Sequence, residues 1–394
     1  MRKQFQFFFL ITLFIGSFFL YIGFRLIGLT NSSSPFSPGL RGAFWFLLLV
    51  PTVMIWLLPT IFWQRENEGS AFWEKAFVWL SSLSIGFMSF LLTFTVTRDV
   101  ILLILLPFRT YLFTWLVGIE GRFLVFGLSL ACLITGVFRA LGRPFVNKVT
   151  IPIKNLHKDL VGLKIAQISD LHVGVTIQKN YVEQVVQIIN SLGADIIAIT
   201  GDLIDGTVKQ LKEHVRPLGD LKAVFGVYYI TGNHEYYWGA AEWIKEMTAL
   251  GAIALLNSNV RLKVGETEVM MAGVVDFAAK RFEKDAGPDL GKALFTVGAP
   301  NPRALKILLA HQPKISQNAA DAGFDLQLSG HTHGGQFLPW NFVASFFHRF
   351  FKGLGRCGEM WVFVNQGTGS WGPPVRLGTS TEISLLTLSK AVET

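Results

Sequence analysis

The first third of the chain consists of long apolar stretches. A helix of roughly 20 apolar residues crosses a bilayer core about 30 Å thick. Four stretches reach or approach this length: Phe5–Leu29, Gly42–Trp63, Ala76–Val96 and Phe123–Leu141. Between the last two, Pro107 and Arg109 interrupt an apolar run, so 98–118 is predicted to be a re-entrant or interfacial piece. The pattern therefore predicts four membrane-spanning helices, with five as the alternative.

From Val149 onward, short β-branched runs alternate with amphipathic stretches, which is typical of strands and helices in succession. The predicted strands are Leu163–Ser169, Ile196–Thr200, Ala223–Thr231, Glu268–Val275, Leu305–Ala310, Leu326–Ser329, Trp361–Asn365 and Glu382–Leu388. The predicted helices are Asn180–Leu192, Trp238–Leu250 and Lys314–Ala322. This alternation indicates an α/β domain with central, mostly parallel sheet and flanking helices.

We therefore predict two domains, a multi-span transmembrane domain over 1–145 and an α/β domain over 149–394. Composition supports a membrane protein, because 51% of the residues are hydrophobic and only 16% are charged, against about 25% charged in soluble domains. Two cysteines cannot form the framework of a disulfide-rich secreted protein.

The charge pattern indicates which side of the membrane each end occupies. Residues 1–148 contain 12 basic and 5 acidic residues, and we interpret this excess as basic flanks of membrane helices rather than as a nucleic-acid surface. With four spans, nine of the basic residues between Arg2 and Lys158 lie on the side of both chain ends, and five lie opposite. The positive-inside rule then predicts a multi-pass protein of the cell (inner) membrane with a cytoplasmic α/β domain. Five spans would place that domain outside.

Residues that bind metals follow five of the predicted strands. In open α/β sheets, ligands bind just beyond the carboxyl ends of the strands, so these residues are expected to converge. They lie in the segments Asp170-Leu171-His172, Gly201-Asp202-Leu203-Ile204-Asp205, Gly232-Asn233-His234-Glu235, His311 and Gly330-His331-Thr332-His333. Carboxylate, imidazole and amide ligands together favour Mn²⁺, Fe or Zn²⁺. A pair of such ions activates water for hydrolysis of phosphate esters.

In order and spacing, these blocks resemble the calcineurin-like metallophosphoesterases, and the SGHTHGGQ stretch from Ser329 resembles their membrane-anchored bacterial branch. The resemblance implies that Asp170, His172 and His333 hold one divalent ion. It implies that Asn233, His311 and His331 hold a second ion, with Asp202 bridging the two. It also implies two catalytic residues, His234 as the proton donor to the leaving oxygen and Asp205 as the residue that orients it.

The function implied is hydrolysis of a phosphoester or pyrophosphate bond by a hydroxide that bridges two metal ions. Three alternatives stay open: a general phosphatase, a cyclic-nucleotide phosphodiesterase, and a membrane receptor or scaffold that binds phosphate ligands without turning them over. From the charge pattern, no nucleic-acid partner is expected. The sequence does not identify the metal, the substrate or the oligomeric state.

An aromatic segment follows the last metal-ligand block. Residues 337–352 contain seven Phe and Trp residues, together with Arg349 and Lys352, and no acidic residue. Either these aromatics pack in the core, or they form an interfacial surface that enters lipid. We adopt the second interpretation as a hypothesis, in which the segment brings a lipid-linked substrate from the bilayer to the metal site.

Overall fold

The computed structural model describes residues 2–29, 35–63, 72–298 and 301–391. These residues form two compact units. The membrane unit comprises residues up to Phe138 together with Gly372–Leu377, and the α/β unit comprises Arg139–Trp371 and the residues from Gly378 onward.

The helices of the N-terminal region are α1 (Arg2–Leu26), α2 (Pro38–Trp63), α3 (Phe72–Leu105), α4 (Tyr111–Val117) and α5 (Ile119–Leu141). Three helical stretches within the described residues are long and apolar enough to cross a membrane: Pro38–Leu58, Phe72–Leu105 and Ile119–Leu141. The Thr12–Leu26 part of α1 is apolar but shorter. Residues 30–34 and 64–71, between the first three helices, lie outside the described residues, and the count of four spans stays a prediction.

The third helix is longer than the sequence pattern indicates. Instead of ending near Val96, α3 continues through Arg98 and Asp99 to Leu105. The helix tolerates these charges because the Asp99 carboxylate accepts hydrogen bonds from Arg25 and Tyr21 of α1. The region 98–118 is thus the end of α3, a turn and the short helix α4, rather than one separate piece.

The segment Gly372–Leu377 lies within the membrane unit, far along the chain from the helices. The Arg376 N–H donates to the carbonyl of Gly136 on α5 at 2.9 Å. Val375 is fully buried, and a Cβ at Gly136 would lie 2.5 Å from its side chain. A glycine on α5 is therefore required for this close approach.

The α/β unit is built on two six-stranded sheets. The first contains β1 (Phe145–Ile153), β2 (Lys164–Ile168), β3 (Ile196–Ile199), β4 (Val227–Tyr229), β5 (Ile253–Ala254) and β12 (Glu382–Lys390). Its strand order is β1-β12-β2-β3-β4-β5. Strands β2 to β5 are parallel, whereas β12 is antiparallel to β2, with Leu386 opposite Ile165. The second contains β6 (Ser258–Val264), β7 (Thr267–Gly273), β8 (Leu305–Leu309), β9 (Leu326–Ser329), β10 (Gly353–Cys357) and β11 (Met360–Val364).

In the second sheet the order is β10-β11-β9-β8-β7-β6, with four parallel strands in the centre and an antiparallel strand at each edge. The two sheets share one core, in which Ile165 and Ile196 of the first meet Ile307 and Leu328 of the second. The remaining helices are α6 (Lys179–Ser191), α7 (Val208–Val215), α8 (Asn233–Tyr237), α9 (Ala240–Ala249), α10 (Leu290–Phe295), α11 (Ser316–Asp321) and α12 (Trp340–Phe347).

Helices α6, α7 and α9 cover the outer face of the first sheet, and α10 and α11 cover the second. The predicted fold class, N-terminal apolar helices followed by α/β sheets flanked by helices, is confirmed. All eight predicted strands form, although β4 is shorter than Ala223–Thr231. Four strands were not predicted: β1, β5, β6 and β10.

Candidate metal and catalytic centre

The candidate site lies where five parallel strands end. Asp170, Asp202 and Asn233 follow β2, β3 and β4 of the first sheet, while His311 and His331 follow β8 and β9 of the second. Each of these side chains is buried or nearly so. The carboxyl ends of these five strands bring Asp, Asn and His side chains from both sheets together.

A first cluster contains Asp170, His172 and His333, whose ligand atoms all lie within 4.8 Å of one another. The Nε2 atoms of His172 and His333 are 3.1 Å apart. The Asp170 carboxylate is fully buried, lies 3.4 Å from His333 Nε2, and accepts the backbone N–H of His331. The cluster therefore offers one carboxylate and two imidazoles to a single ion.

A second cluster contains Asp202, His311 and His331. His311 Nε2 lies 3.1 Å from Asp202 Oδ2 and 3.2 Å from His331 Nδ1. The same Asp202 oxygen lies 4.0 Å from His172 Nε2 of the first cluster. One carboxylate oxygen thus stands between two groups of nitrogen ligands, which is the position required of a bridging ligand.

Hydrogen bonds on the far side of two rings set their tautomers. His172 Nδ1 lies 3.2 Å from the Asp205 carboxylate, and His311 Nδ1 lies 2.8 Å from the Thr200 carbonyl. Both contacts need an N–H on Nδ1, so each ring, when neutral, would present the Nε2 lone pair to a metal ion in the site. A metal-binding histidine is commonly held in this way.

Asn233 contributes a buried amide oxygen to the same region. Its Oδ1 atom has no hydrogen-bond partner among the described residues. A buried carbonyl oxygen without a partner costs about 1–3 kcal/mol, and coordination of a divalent ion would remove this cost. Together with the facing imidazole lone pairs, this orphaned oxygen fits a site built for divalent metals.

His234 and Asp205 form a pair beside the two clusters. His234 Nδ1 lies 2.5 Å from Asp205 Oδ1, and its Nε2 lies 3.9 Å from Asp202 Oδ2. Burial on its own would lower the pKa of His234, but Asp202 and Asp205 together raise it to about 9. For Asp205, burial on its own would raise the pKa, but the nearby imidazoles of His172 and His234 hold it below its usual value. A protonated His234 beside an ionised Asp205 is a suitable proton donor.

Glu235 supports the turns rather than reaching the site. Its buried carboxylate accepts backbone N–H groups from Asp202 at 3.1 Å, Leu203 at 2.8 Å and Gly232 at 2.6 Å. These bonds tie the turn after β3 to the start of α8. Glu235 thus lies at the start of α8, as its sequence position suggests, and also binds the backbone of the neighbouring turn after β3.

The backbone at the site is unusual. Five of the predicted metal ligands have positive φ angles between 51° and 71°, namely Asp170, His172, Asp202, His331 and His333. Left-handed backbone costs roughly 1–2 kcal/mol at a non-glycine residue. Such strain persists where the surrounding structure over-determines it, most often at functional sites.

Two aromatic side chains stand at the edge of the site, and sequence reasoning missed both. The ring of Tyr237 lies 5.3 Å from that of His234, and Trp371 stands nearly perpendicular to His234 at 6.1 Å. Gln336 holds Trp371, because its amide exchanges two hydrogen bonds of 3.0 Å with the Trp371 backbone. Gln336 belongs to the SGHTHGGQ stretch, but no pattern in the sequence links that stretch to Trp371.

Residues 163–335 match the family model described as calcineurin-like phosphoesterase, and this range contains all the residues of the two clusters. The chain belongs to the calcineurin-like metallophosphoesterase family. Membership supports phosphoesterase chemistry and divalent metal binding, as the donor set does.

Relatives occur in bacteria and in animals. The chain is 36% identical over 269 residues to a bovine "transmembrane protein with metallophosphoesterase domain", a match covering 66% of this chain and 60% of the relative. It is 31% identical over 247 residues to an uncharacterized metallophosphoesterase of Aquifex aeolicus, covering 62% of this chain and 91% of the relative. It is also 31% identical over 235 residues to the uncharacterized metallophosphoesterase YkuE of Bacillus subtilis, a match covering 58% of this chain and 79% of the relative.

Proposed function

We propose that this protein is a membrane-anchored hydrolase that uses two divalent metal ions to cleave a phosphoester or pyrophosphate bond. The observation that carries the proposal is the position of Asp202 Oδ2, 3.1 Å from a nitrogen of one ligand cluster and 4.0 Å from a nitrogen of the other. Asp170, His172 and His333 would hold one ion. Asn233, His311 and His331 would hold the other, and Asp202 would bridge them.

The ions, when bound, supply an activated hydroxide and neutralise charge on the phosphoryl oxygens. Mn²⁺, Fe and Zn²⁺ suit the mixed nitrogen and oxygen donor set. Asp205 and the Thr200 carbonyl accept the outer Nδ1–H of two imidazoles and so direct the Nε2 atom of each ring toward the centre.

His234 donates a proton to the departing oxygen in this proposal. Its pKa of about 9 keeps it protonated at neutral pH. Asp205 accepts the Nδ1–H and thereby directs Nε2 toward the ligand clusters. Tyr237 and Trp371 lie beside the same ring, so they border the space that the leaving group would occupy.

The lipid-linked substrate is supported by the surface of α12. No residue of this helix is buried, and Phe342, Phe346 and Phe347 are 65%, 83% and 79% exposed. Phe337, by contrast, packs in the core. Exposed aromatics beside basic residues are typical of surfaces that enter a lipid interface.

The helix α12 is also directly connected to the metal site. It begins seven residues after His333, and the Thr332 hydroxyl donates to the Phe351 carbonyl just beyond its end at 2.6 Å. A lipid held at α12 would therefore lie a short distance from the ligand clusters. We further propose a multi-pass arrangement in the inner membrane, a functional division near residue 145, and a cytoplasmic α/β domain.

The direct test is hydrolysis of bis-p-nitrophenyl phosphate and p-nitrophenyl phosphate by the full chain in detergent with Mn²⁺. Asp202→Asn serves as the control, because it keeps the shape of the bridging side chain and removes its charge. Manganese-dependent turnover that the substitution abolishes is the expected result. Metal binding without turnover of any tested ester would instead favour a receptor or scaffold.

A further inference from the structure

A cluster of charged side chains joins three helices of the membrane unit. Arg25 near the end of α1 donates to Asp99 of α3 through both Nε and Nη2, at 2.5 and 2.9 Å. Tyr21 donates to the same carboxylate at 2.7 Å, and Arg98 donates at 3.1 Å. Asp99 is therefore fully engaged by these three donors.

The Asp99 carboxylate alone does not neutralise the guanidinium groups of this cluster. Arg122 of α5 donates to the Leu26 carbonyl at 3.1 Å and has no carboxylate partner among the described residues. Arg98 donates to the neighbouring carbonyl of Arg25 at 3.0 Å. Arg98 is only 5% exposed, and its Nη1 atom has no hydrogen-bond partner in the part of the chain that the structure describes.

The charge balance of the cluster therefore calls for an anion. Three guanidinium groups share one carboxylate, which leaves two positive charges in a unit made of membrane helices. The carbonyls at the end of α1 stabilise cations only partly, since a helix C-terminus carries about half a negative charge. Charged residues at membrane depth are costly and are usually paired.

An apolar cavity adjoins the cluster. It has a volume of about 140 Å³ and is lined by twelve apolar side chains and Arg122. Leu26, whose carbonyl binds Arg122, also lines it, as do Leu48 of α2 and Leu91 of α3. The cavity thus combines a hydrocarbon wall with one guanidinium group.

We propose that the membrane unit binds an anionic phospholipid, with part of an acyl chain in this cavity and its phosphate on Arg122. An acyl chain suits the apolar wall, and a phosphate provides the acceptor oxygens that a guanidinium group binds best. This lipid site is separate from the metal clusters and does not depend on the proposed phosphoesterase activity.

The test is lipid retention by the full-length protein in detergent, measured by native mass spectrometry after washing. We expect wild-type protein to retain phosphatidylglycerol at one molecule per chain, and neither diacylglycerol nor inorganic phosphate. Arg122→Gln should reduce this retention at least about tenfold, because it removes a charge-assisted hydrogen bond to the phosphate. The matched control is Arg109→Gln, which changes an exposed arginine of the same unit.

A second variant keeps the charges and fills the cavity instead. Leu48→Phe should also lower phosphatidylglycerol retention while Arg122 and Arg98 remain. Equal retention of diacylglycerol and phosphatidylglycerol by wild-type protein would overturn the proposal without any variant. Equal loss in Arg109→Gln, or retention unchanged in both site variants, would overturn it as well.

Discussion

Asp205 places its Oδ1 atom 2.5 Å from Nδ1 of His234. The other oxygen of the same carboxylate lies 3.2 Å from His172, a predicted metal ligand. A single side chain thus orients both the predicted proton donor, His234, and a predicted metal ligand, His172. Loss of Asp205 should affect proton transfer and metal retention together, whereas loss of His234 should affect proton transfer alone.

We expect His234→Ala to reduce kcat by about 10²- to 10⁴-fold, the range for a lost general acid. The loss should be greater for glycerol 2-phosphate than for p-nitrophenyl phosphate, because p-nitrophenolate leaves without a proton. Metal content measured by mass spectrometry should stay at the wild-type value. Equal losses on both substrates would contradict the assignment of His234 as the proton donor.

Asp205→Asn should lower kcat by a similar factor, since the amide can stabilise the wrong His234 tautomer. Unlike His234→Ala, it should also reduce the amount of bound metal, because Asp205 orients the predicted ligand His172. The double variant should be no less active than the more damaged single variant, because the two residues act as a unit. Additive losses in this comparison would show that the pair does not act together.

Removal of metal should destabilise the protein as well as inactivate it. A ligand present at 100 times its Kd stabilises the folded state by about 2.7 kcal/mol. Chelation should therefore lower the apparent Tm of wild-type protein, and added Mn²⁺ should restore both Tm and activity. In Asp202→Asn, which loses the bridging charge, chelation should change the Tm much less. A Tm shift of the same size in both proteins would argue against a metal site at Asp202.

Glu235→Gln tests whether the supporting turn matters without touching the site. The amide keeps one acceptor oxygen but places an N–H₂ against backbone donors, and each charge-assisted bond lost costs about 1.5–3 kcal/mol. With two bonds lost, or about 3–6 kcal/mol, the Tm should fall by roughly 6–24 °C. Glu242→Gln on the exposed face of α9 is the matched control and should leave the Tm unchanged.

The double substitution Phe346→Ser and Phe347→Ser tests the lipid-facing helix. It should lower kcat/KM for hexadecyl p-nitrophenyl phosphate at least about tenfold, because burying a Phe side chain is worth about 1.5–3 kcal/mol. Turnover of bis-p-nitrophenyl phosphate should stay near the wild-type rate. Phe295→Ser, which changes an exposed phenylalanine at the end of α10, is the control. A parallel fall on both esters, or on neither, would rule out a role of α12 in substrate delivery.

The strands that carry the site were predictable because they are short, largely buried segments of mainly apolar residues. Leu326–Ser329 appears in the structure with the predicted bounds. The strand β1 was missed because most of its residues are exposed or half-buried and it contains Pro152, and because its pairing with β12 depends on residues more than 200 positions away. The short edge strand β5 has two residues and leaves no pattern at all.

The residues of the candidate site were easier to predict from the sequence than the residues that surround and support them. His311 had only its place after a strand to indicate a role, yet it lies 3.1 Å from Asp202. Trp371 could not be assigned, because only the fold brings Gln336 close enough to hold its backbone. The extension of α3 past Arg98 was also hidden, since the compensating partners lie on another helix.

The left-handed backbone at five of the predicted ligands restricts how this site could be transferred to another protein scaffold. A scaffold chosen to receive the same Asp and His side chains would not reproduce their directions if its loops had ordinary negative φ angles. The turns after each strand would have to be carried over whole, along with Glu235 and the Gly232 N–H that it binds. The smallest portable unit of this chemistry is therefore a set of strand-to-loop junctions, not a list of ligands.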